Sequence, residues 1–223
     1  MGHVLKRFVE SMFLREGGSN KMLINQFECN YPCDDIKKEM IYPVVDLNPE
    51  SINVIMVSEC PPLKKDDYFY KNSSGSFFQT TKIAFQDAGV AIDDYGDLTK
   101  RGFYLTTAIK CRKQQYLVSS KTIKECAFKF LKTELEQFPN VKAIMCMGDF
   151  AIKAINYIFK AEHHIRAIKA GSTYKIRHET HMVNDIRFFP SYTQTGDSFD
   201  IEKSKRKMIA EDIKSALAYV KKC

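Results

Sequence analysis

No apolar run in this 223-residue chain approaches the ~20 residues that a bilayer-crossing helix requires, so a membrane-spanning helix is excluded. The first residues, Met1-Gly2-His3-Val4-Leu5-Lys6-Arg7-Phe8, carry neither a long apolar stretch nor a small-residue cleavage site, and a cytoplasmic protein is expected. Internal repeats and low-complexity tracts are absent too, which argues against a solenoid or a disordered tail. The five histidines, His163 and His164 among them, form no catalytic triad and no zinc-binding spacing. Neither sign of charge dominates: 34 Lys+Arg against 27 Asp+Glu gives +7, a weak bias toward a polyanionic partner through counterion release.

At 44% hydrophobic residues the chain is long enough to bury one core. One domain over residues 1–223 is expected, with an N-terminal helical extension at 1–26 and a core at 27–222. Residues 3–15 have helical spacing, and Gly17-Gly18 ends it. The apolar, β-branched runs at 52–58, 102–109, 141–147 and 186–189 read as strands buried on both faces, the last stopping at Pro190. Helical patterns at 77–89, 121–137, 149–160 and 200–222 alternate with them. The fold class expected is α/β, a central, mostly parallel four-stranded sheet flanked by helices in a three-layer sandwich. In such sheets ligands sit beyond the carboxyl ends of the strands, which points to the segments after Ser58, Ile109, Met147 and Phe189.

Seven cysteines with no secretion signal favour thiol or metal chemistry over a disulfide framework. Cys29 and Cys33 lie in an aperiodic segment at 27–43 that reads as a loop or broken helix. Cys111 follows a strand, and Cys126 comes fifteen residues later, early in a helix. Four thiolates suit a cluster or a structural zinc, and ordinary reduced cysteines are the plain alternative.

Four segments follow one another in an order and spacing that resemble the iron-sulfur, thermophile-type uracil-DNA glycosylases. They are Glu59-Cys60-Pro61-Pro62 after an apolar strand, the run from Tyr104 to Arg112 ending Lys110-Cys111-Arg112, Cys126 ahead of Phe128-Lys129-Phe130-Leu131, and the run from Ala143 to Ala151. The resemblance spans roughly residues 27 to 220. It implies a [4Fe-4S] cluster on Cys29, Cys33, Cys111 and Cys126, although the first pair is spaced C-x3-C where the family usually has C-x2-C. It also implies DNA as partner, a monomer, and excision of a flipped base by hydrolysis of its N-glycosidic bond.

Under the resemblance Glu59 orients the attacking water and favours the developing cation; capping a nearby helix is its structural alternative. Gly75-Ser76-Phe77-Phe78 resembles the family's Gly-x-Pro-Phe, making Phe78 a candidate stacking partner for the base or else a core aromatic. Cys60 joins Phe78 and Thr107 at the base site. Thr107 stands where the family has the asparagine that reads uracil, and a threonine cannot offer that bidentate pattern. Thr193-Gln194-Thr195 stands where the family has His-Pro-Ser, so Thr193 and Gln194 are the remaining donors to the departing base. Lys110 and Arg112 are candidate DNA contacts, as is Lys205, which lies on a helix whose basic residues also suit a solvated face. Phe199 is the candidate wedge that fills the gap left by flipping. Between Glu59 and Phe78 the chain is about six residues longer than the family pattern, and the added loop, 64–72, lines the pocket or is a surface insertion.

The expected activity is base excision, of uracil or, given Thr107 and Thr193, of another modified pyrimidine such as those of phage DNA, in repair or antiviral defence. A catalytically silent nucleic-acid-binding protein of the same fold and a zinc-dependent nucleotide hydrolase are the competing readings.

Overall fold

The computed structural model describes residues 29–114, 117–196, 199 and 202–222. The helix expected at 3–15 lies outside them. In chain order the strands are β1 (Ile36–Met40), β2 (Val54–Ser58), β3 (Phe103–Thr107), β4 (Cys111–Lys113), β5 (Ala143–Met147), β6 (His181–Val183) and β7 (Ile186–Ser191). The helices are α1 (Ser76–Asp87), α2 (Tyr95–Lys100), α3 (Ser120–Cys126), α4 (Lys132–Leu135), α5 (Asp149–His163), α6 (Thr173–Ile176) and α7 (Lys203–Val220), with a π turn at Ala127–Leu131 joining α3 to α4.

The main sheet has the order β3-β2-β5-β7-β6. β3, β2, β5 and β7 are parallel, and β6 is antiparallel to β7. Every residue of β2, β3 and β5 is buried, which is why these strands appear in the sequence as unbroken apolar runs rather than alternating ones. One face packs Val54, Met56, Leu105 and Met145 against Phe85 of α1, Leu98 of α2 and Ile209 and Ile213 of α7. The other packs Ile55, Val57, Tyr104 and Ile144 against Ile123 of α3, Phe130 of the π turn and Ile155 of α5. The α/β sandwich is therefore as expected, with a fifth strand added.

Two further expectations are corrected. β6 is too short to show a period. β7 runs through Pro190 to Ser191, because beyond Phe188 it has a strand on one side only, a place where a missing N–H is tolerated. The segment read as loop or broken helix contains β1, which pairs with β4 through Ile36↔Lys113 and Met40↔Cys111 with a bulge between Lys37 and Met40. That pairing is made with residues some seventy positions away, so local pattern does not announce it.

Lys110, between β3 and β4, is fully buried. Its ammonium donates to Thr106 Oγ1 and to the Thr107 carbonyl, each at 2.7 Å, and pairs closely with Glu134 of α4, itself sealed from water. The Tyr104 hydroxyl donates to the second Glu134 oxygen at 2.6 Å. The assignment of Lys110 to DNA contact is corrected accordingly: no face of it reaches solvent. A buried pair with one partner deleted leaves an uncompensated charge, so Lys110→Met is expected to lower unfolding free energy by roughly 3–5 kcal/mol in urea titration. Lys110→Met with Glu134→Leu is expected to recover most of that loss.

Candidate active site

The chain leaves β2 for its neighbour β3 on one side, then crosses to β5 on the other, so the sheet's switch point lies between the carboxyl ends of β2 and β5. Glu59 follows β2 at this point. Its carbonyl accepts from the Ile109 N–H at 3.0 Å, and its carboxylate Oε1 accepts from the Phe150 N–H in the first turn of α5 at 3.3 Å. Burial pushes the Glu59 pKa above the ordinary carboxylate value, opposed by the Phe150 N–H and the charge of Lys113 and reinforced by Asp149. The side chain is thus partly desolvated and aimed at a helix N-terminus, where the macrodipole favours its anion. The helix-capping geometry and the position that the resemblance makes catalytic coincide in one residue.

Gly148 makes the approach possible, and sequence reading passed over it. Its φ is +104°, and a Cβ there would stand 2.7 Å from Glu59 Oε1. The Gly148 N–H donates to the Ser191 carbonyl at 3.0 Å, which draws the end of β7 to the same place. The apolar strand ending in Met147-Gly148-Asp149 was the available signal.

Beside Glu59, Thr107 ends β3 in register with Ser58 and is fully buried. Its Oγ1 is 3.1 Å from the hydroxyl of Tyr68, which belongs to the extra loop. That loop is no surface insertion: Tyr68 and Phe69 are completely buried, and the Tyr70 hydroxyl accepts from the Leu105 N–H at 2.7 Å. Tyr68, not Phe78, is the aromatic joined to Thr107. Phe78 lies in α1 with its ring 4.6 Å from that of Tyr95 and 1% of its surface exposed, so its assignment as a free stacking platform is corrected to a core aromatic. Cys60 is also buried, and burial, chiefly, raises its thiol pKa.

Of the segment after β7, Thr193 is half-buried with its Oγ1 3.3 Å from that of Thr195. Gln194 turns inward: its amide oxygen accepts from Ser58 Oγ at 3.1 Å, and its nitrogen is 3.1 Å from Met56 Sδ. It pins the segment to β2, and the expectation that it donates to a departing base is corrected. Behind this segment Ser191 Oγ donates to Asp212 at 2.6 Å, and Asp212 pairs with the buried Arg177 at 2.8 Å, anchoring the end of β7 to α7.

The expected DNA contacts divide. Arg112 spends its guanidinium on Glu39 and on the Leu63 carbonyl at 2.6 Å, bracing β1 and the loop after Glu59, so its reading as a phosphate ligand is corrected. Phe199 is 1% exposed in the core with Arg206 over its ring, and a wedge must stand free, so that reading is corrected as well. Lys205 stays at the surface, paired with Glu202 at 2.6 Å and 5.4 Å above the ring of Tyr192, near Thr193.

Away from the switch point, Cys29, Cys33, Cys111 and Cys126 line one small cavity with Tyr31, Ile36, Glu125, Lys129 and Phe130. Cys111 opens β4, Cys126 closes α3, and the Lys110 N–H donates to Cys126 Sγ at 3.3 Å. Burial, then the charges of the other three cysteines, pushes the Cys111 thiol up to about 12. Burial likewise takes Cys126 to about 11 against the pull of Lys110. Among the described residues no group of three or more His, Cys, Asp or Glu side chains stands close enough to hold a single metal ion. The donor set is nevertheless all sulfur, convergent on one cavity, with an N–H aimed at one thiol, which suits a thiolate-ligated iron-sulfur group.

The family model of the uracil DNA glycosylase superfamily matches residues 45–210, most of the chain, and the chain belongs to that superfamily. The match covers Glu59, Thr107, Gly148 and Thr193 and begins after Cys29 and Cys33. No curated protein sequence matches the chain. The family carries a DNA glycosylase type of function and DNA as partner, and among the described residues no helix is long and apolar enough to cross a membrane.

Because an L residue at such a φ costs on the order of 1–3 kcal/mol and the new methyl would strike Glu59, Gly148→Ala is expected to lower thermal stability. It is also expected to broaden or shift the Glu59 carboxyl resonance in carbon-detected NMR, whereas Gly89→Ala, also at positive φ but facing open space, is expected to show a stability loss alone.

Proposed function

We propose that the chain is a monofunctional DNA glycosylase, working as a cytoplasmic monomer, that hydrolyses the N-glycosidic bond of a modified base other than plain uracil. The observation that carries this reading is Glu59, a half-buried carboxylate set by Gly148 at the switch point of the sheet. In the reaction the bond between base and sugar breaks with its electron pair leaving on the base. The sugar gains cationic character, and water adds at the same carbon and loses a proton. An ionised Glu59 orients the water and favours the cation by charge. Thr193, half-buried in the segment after β7, takes the leaving base's side, a weaker donor than the histidine that the family places there. A phage-modified pyrimidine, encountered in defence, fits a site whose uracil reader is replaced.

Cys29, Cys33, Cys111 and Cys126 would hold a [4Fe-4S] cluster. When bound, such a group cross-links the segment before β1, the start of β4 and the end of α3, and it offers one-electron chemistry that base hydrolysis does not require.

The sealed Thr107 and the inward-turned Gln194 favour a second reading, a DNA-binding protein that has lost base release.

The deciding experiment scores abasic sites by alkaline cleavage on oligonucleotides carrying uracil, hypoxanthine or 5-substituted cytosines. The glycosylase reading expects release from at least one modified base, lost by 10²-fold or more in Glu59→Gln with DNA binding kept. No release from any substrate, with equal DNA binding by wild type and Glu59→Gln, selects the second reading.

The raised Glu59 pKa fixes the sign of the pH dependence. The single-turnover rate is expected to fall on acidification at a pH above the ordinary carboxylate range. In stability the folded state binds this proton more tightly than the unfolded chain, so Glu59 weakens the fold as pH rises from its unfolded to its folded pKa. Glu59→Gln is therefore expected to melt at or above the wild-type temperature at pH 7, with the gap closing in acid.

Protein purified without oxygen is expected to contain iron and acid-labile sulfide in equal amounts, with broad visible absorbance that Cys126→Ser abolishes along with several degrees of melting temperature. Stoichiometric zinc instead would overturn the cluster.

A further inference from the structure

Thr107 ends β3 paired with Ser58, the residue before Glu59, so position 107 borders the place at the carboxyl ends of β3 and β2 where a ligand reacting at Glu59 would sit. In this structure that position is already in use. The Thr107 hydroxyl is matched to the Tyr68 phenol at 3.1 Å, its carbonyl accepts from Lys110, and neither Thr107 nor Tyr68 has any exposed surface. A six-membered aromatic ring with its polar tip on Thr107 therefore lies where a pyrimidine base would have to lie in order to be read by residue 107.

The ring is not loosely held. Phe69 and Phe77 pack against it at 5.3 and 6.4 Å, and the next residue but one, Tyr70, is fastened to Leu105. Tyr70 has a φ of +65°, unusual for a bulky residue, and this turn lets three consecutive aromatic residues take three different contacts. At the loop's outer end Lys65 pairs with Glu39 at 3.5 Å, and Arg112 holds the Leu63 carbonyl. Expelling Tyr68 would expose a large apolar surface and leave Thr107 unpaired.

We propose that Tyr68 sets the specificity of this site by exclusion: its phenol fills the depth of the base pocket beside Thr107, so that the wild-type chain rejects uracil and accepts only a base bound nearer the mouth. The inference rests on the reading of the chain as a glycosylase and names the residue that limits its substrates.

The test uses the full chain as wild type, Tyr68→Ala and Thr107→Asn. It measures binding of free uracil by calorimetry and release of uracil from an oligonucleotide. Tyr68→Ala is expected to bind free uracil, which wild type does not, and to release uracil from DNA at least tenfold faster than wild type. Thr107→Asn alone is expected to gain neither property, because the ring still covers position 107. This arm stands even if Tyr68→Ala does not fold.

Uracil release acquired by Thr107→Asn alone overturns the proposal, as does free uracil binding by wild type. A folded Tyr68→Ala whose cavity takes p-cresol but no uracil also overturns it. Uracil binding gained by Tyr68→Ala, with no base released by any variant from any oligonucleotide, upholds the pocket and overturns the glycosylase reading instead.

Discussion

The ammonium of Lys110 governs how the chain leaves β3. Sealed from water, it would be costly if unmatched, and it is matched by Thr106, by the Thr107 carbonyl and by Glu134 arriving from α4 on the far side of the sheet. Its own backbone N–H turns the other way and meets Cys126. One residue thus fixes the last turn of β3, the seat of α4 and the orientation of a cysteine at the end of α3. Because Thr107 is held from behind in this way, its hydroxyl has one direction left, toward the Tyr68 loop. The cysteine cavity and Thr107 are two ends of one polar chain through the interior, and neither can be altered without the other sensing the change.

The Glu59 junction obeys a different constraint, that of room. A carboxylate capping a helix is an ordinary device for satisfying orphan N–H groups. Here the cap comes from a separate strand, because Gly148 leaves the space that any side chain would take. The capping contact does not compete with the chemical role proposed for Glu59. The hydrogen bond that holds it also orients it, and burial keeps its proton affinity high enough for the surroundings to matter.

How much of this was legible depends on the kind of signal. The four parallel strands and their helices were readable because burial on both faces forces continuous apolar runs, and the cysteines were readable as a set that structure gathers around one cavity. Glu59 was singled out through the motif that follows its strand, and the structure places it against the first turn of α5. Lys110 and Arg112 misled because a cation after a strand is solvated in most proteins, and only the arrival of Glu134 and Glu39 from distant segments buries the first and occupies the second. Phe78 and Phe199 misled because an aromatic residue at a functional position and one in a core have the same letter. Tyr68-Phe69-Tyr70 was the neglected clue: three adjacent rings in a loop of charged and small residues demand burial, and the sheet edge beside them supplies it.

That edge gives the loop a second constraint. β3 is the outermost strand of the sheet, and the Tyr70 hydroxyl answers one of its outward N–H groups. An uncovered outer strand invites pairing with another chain. If Tyr68 limits the base as proposed, a lineage that remodelled residues 64–72 to admit a new one would at the same time uncover a template for self-association. Substrate range and freedom from aggregation are therefore selected through the same few residues, and changes in one are filtered by the other.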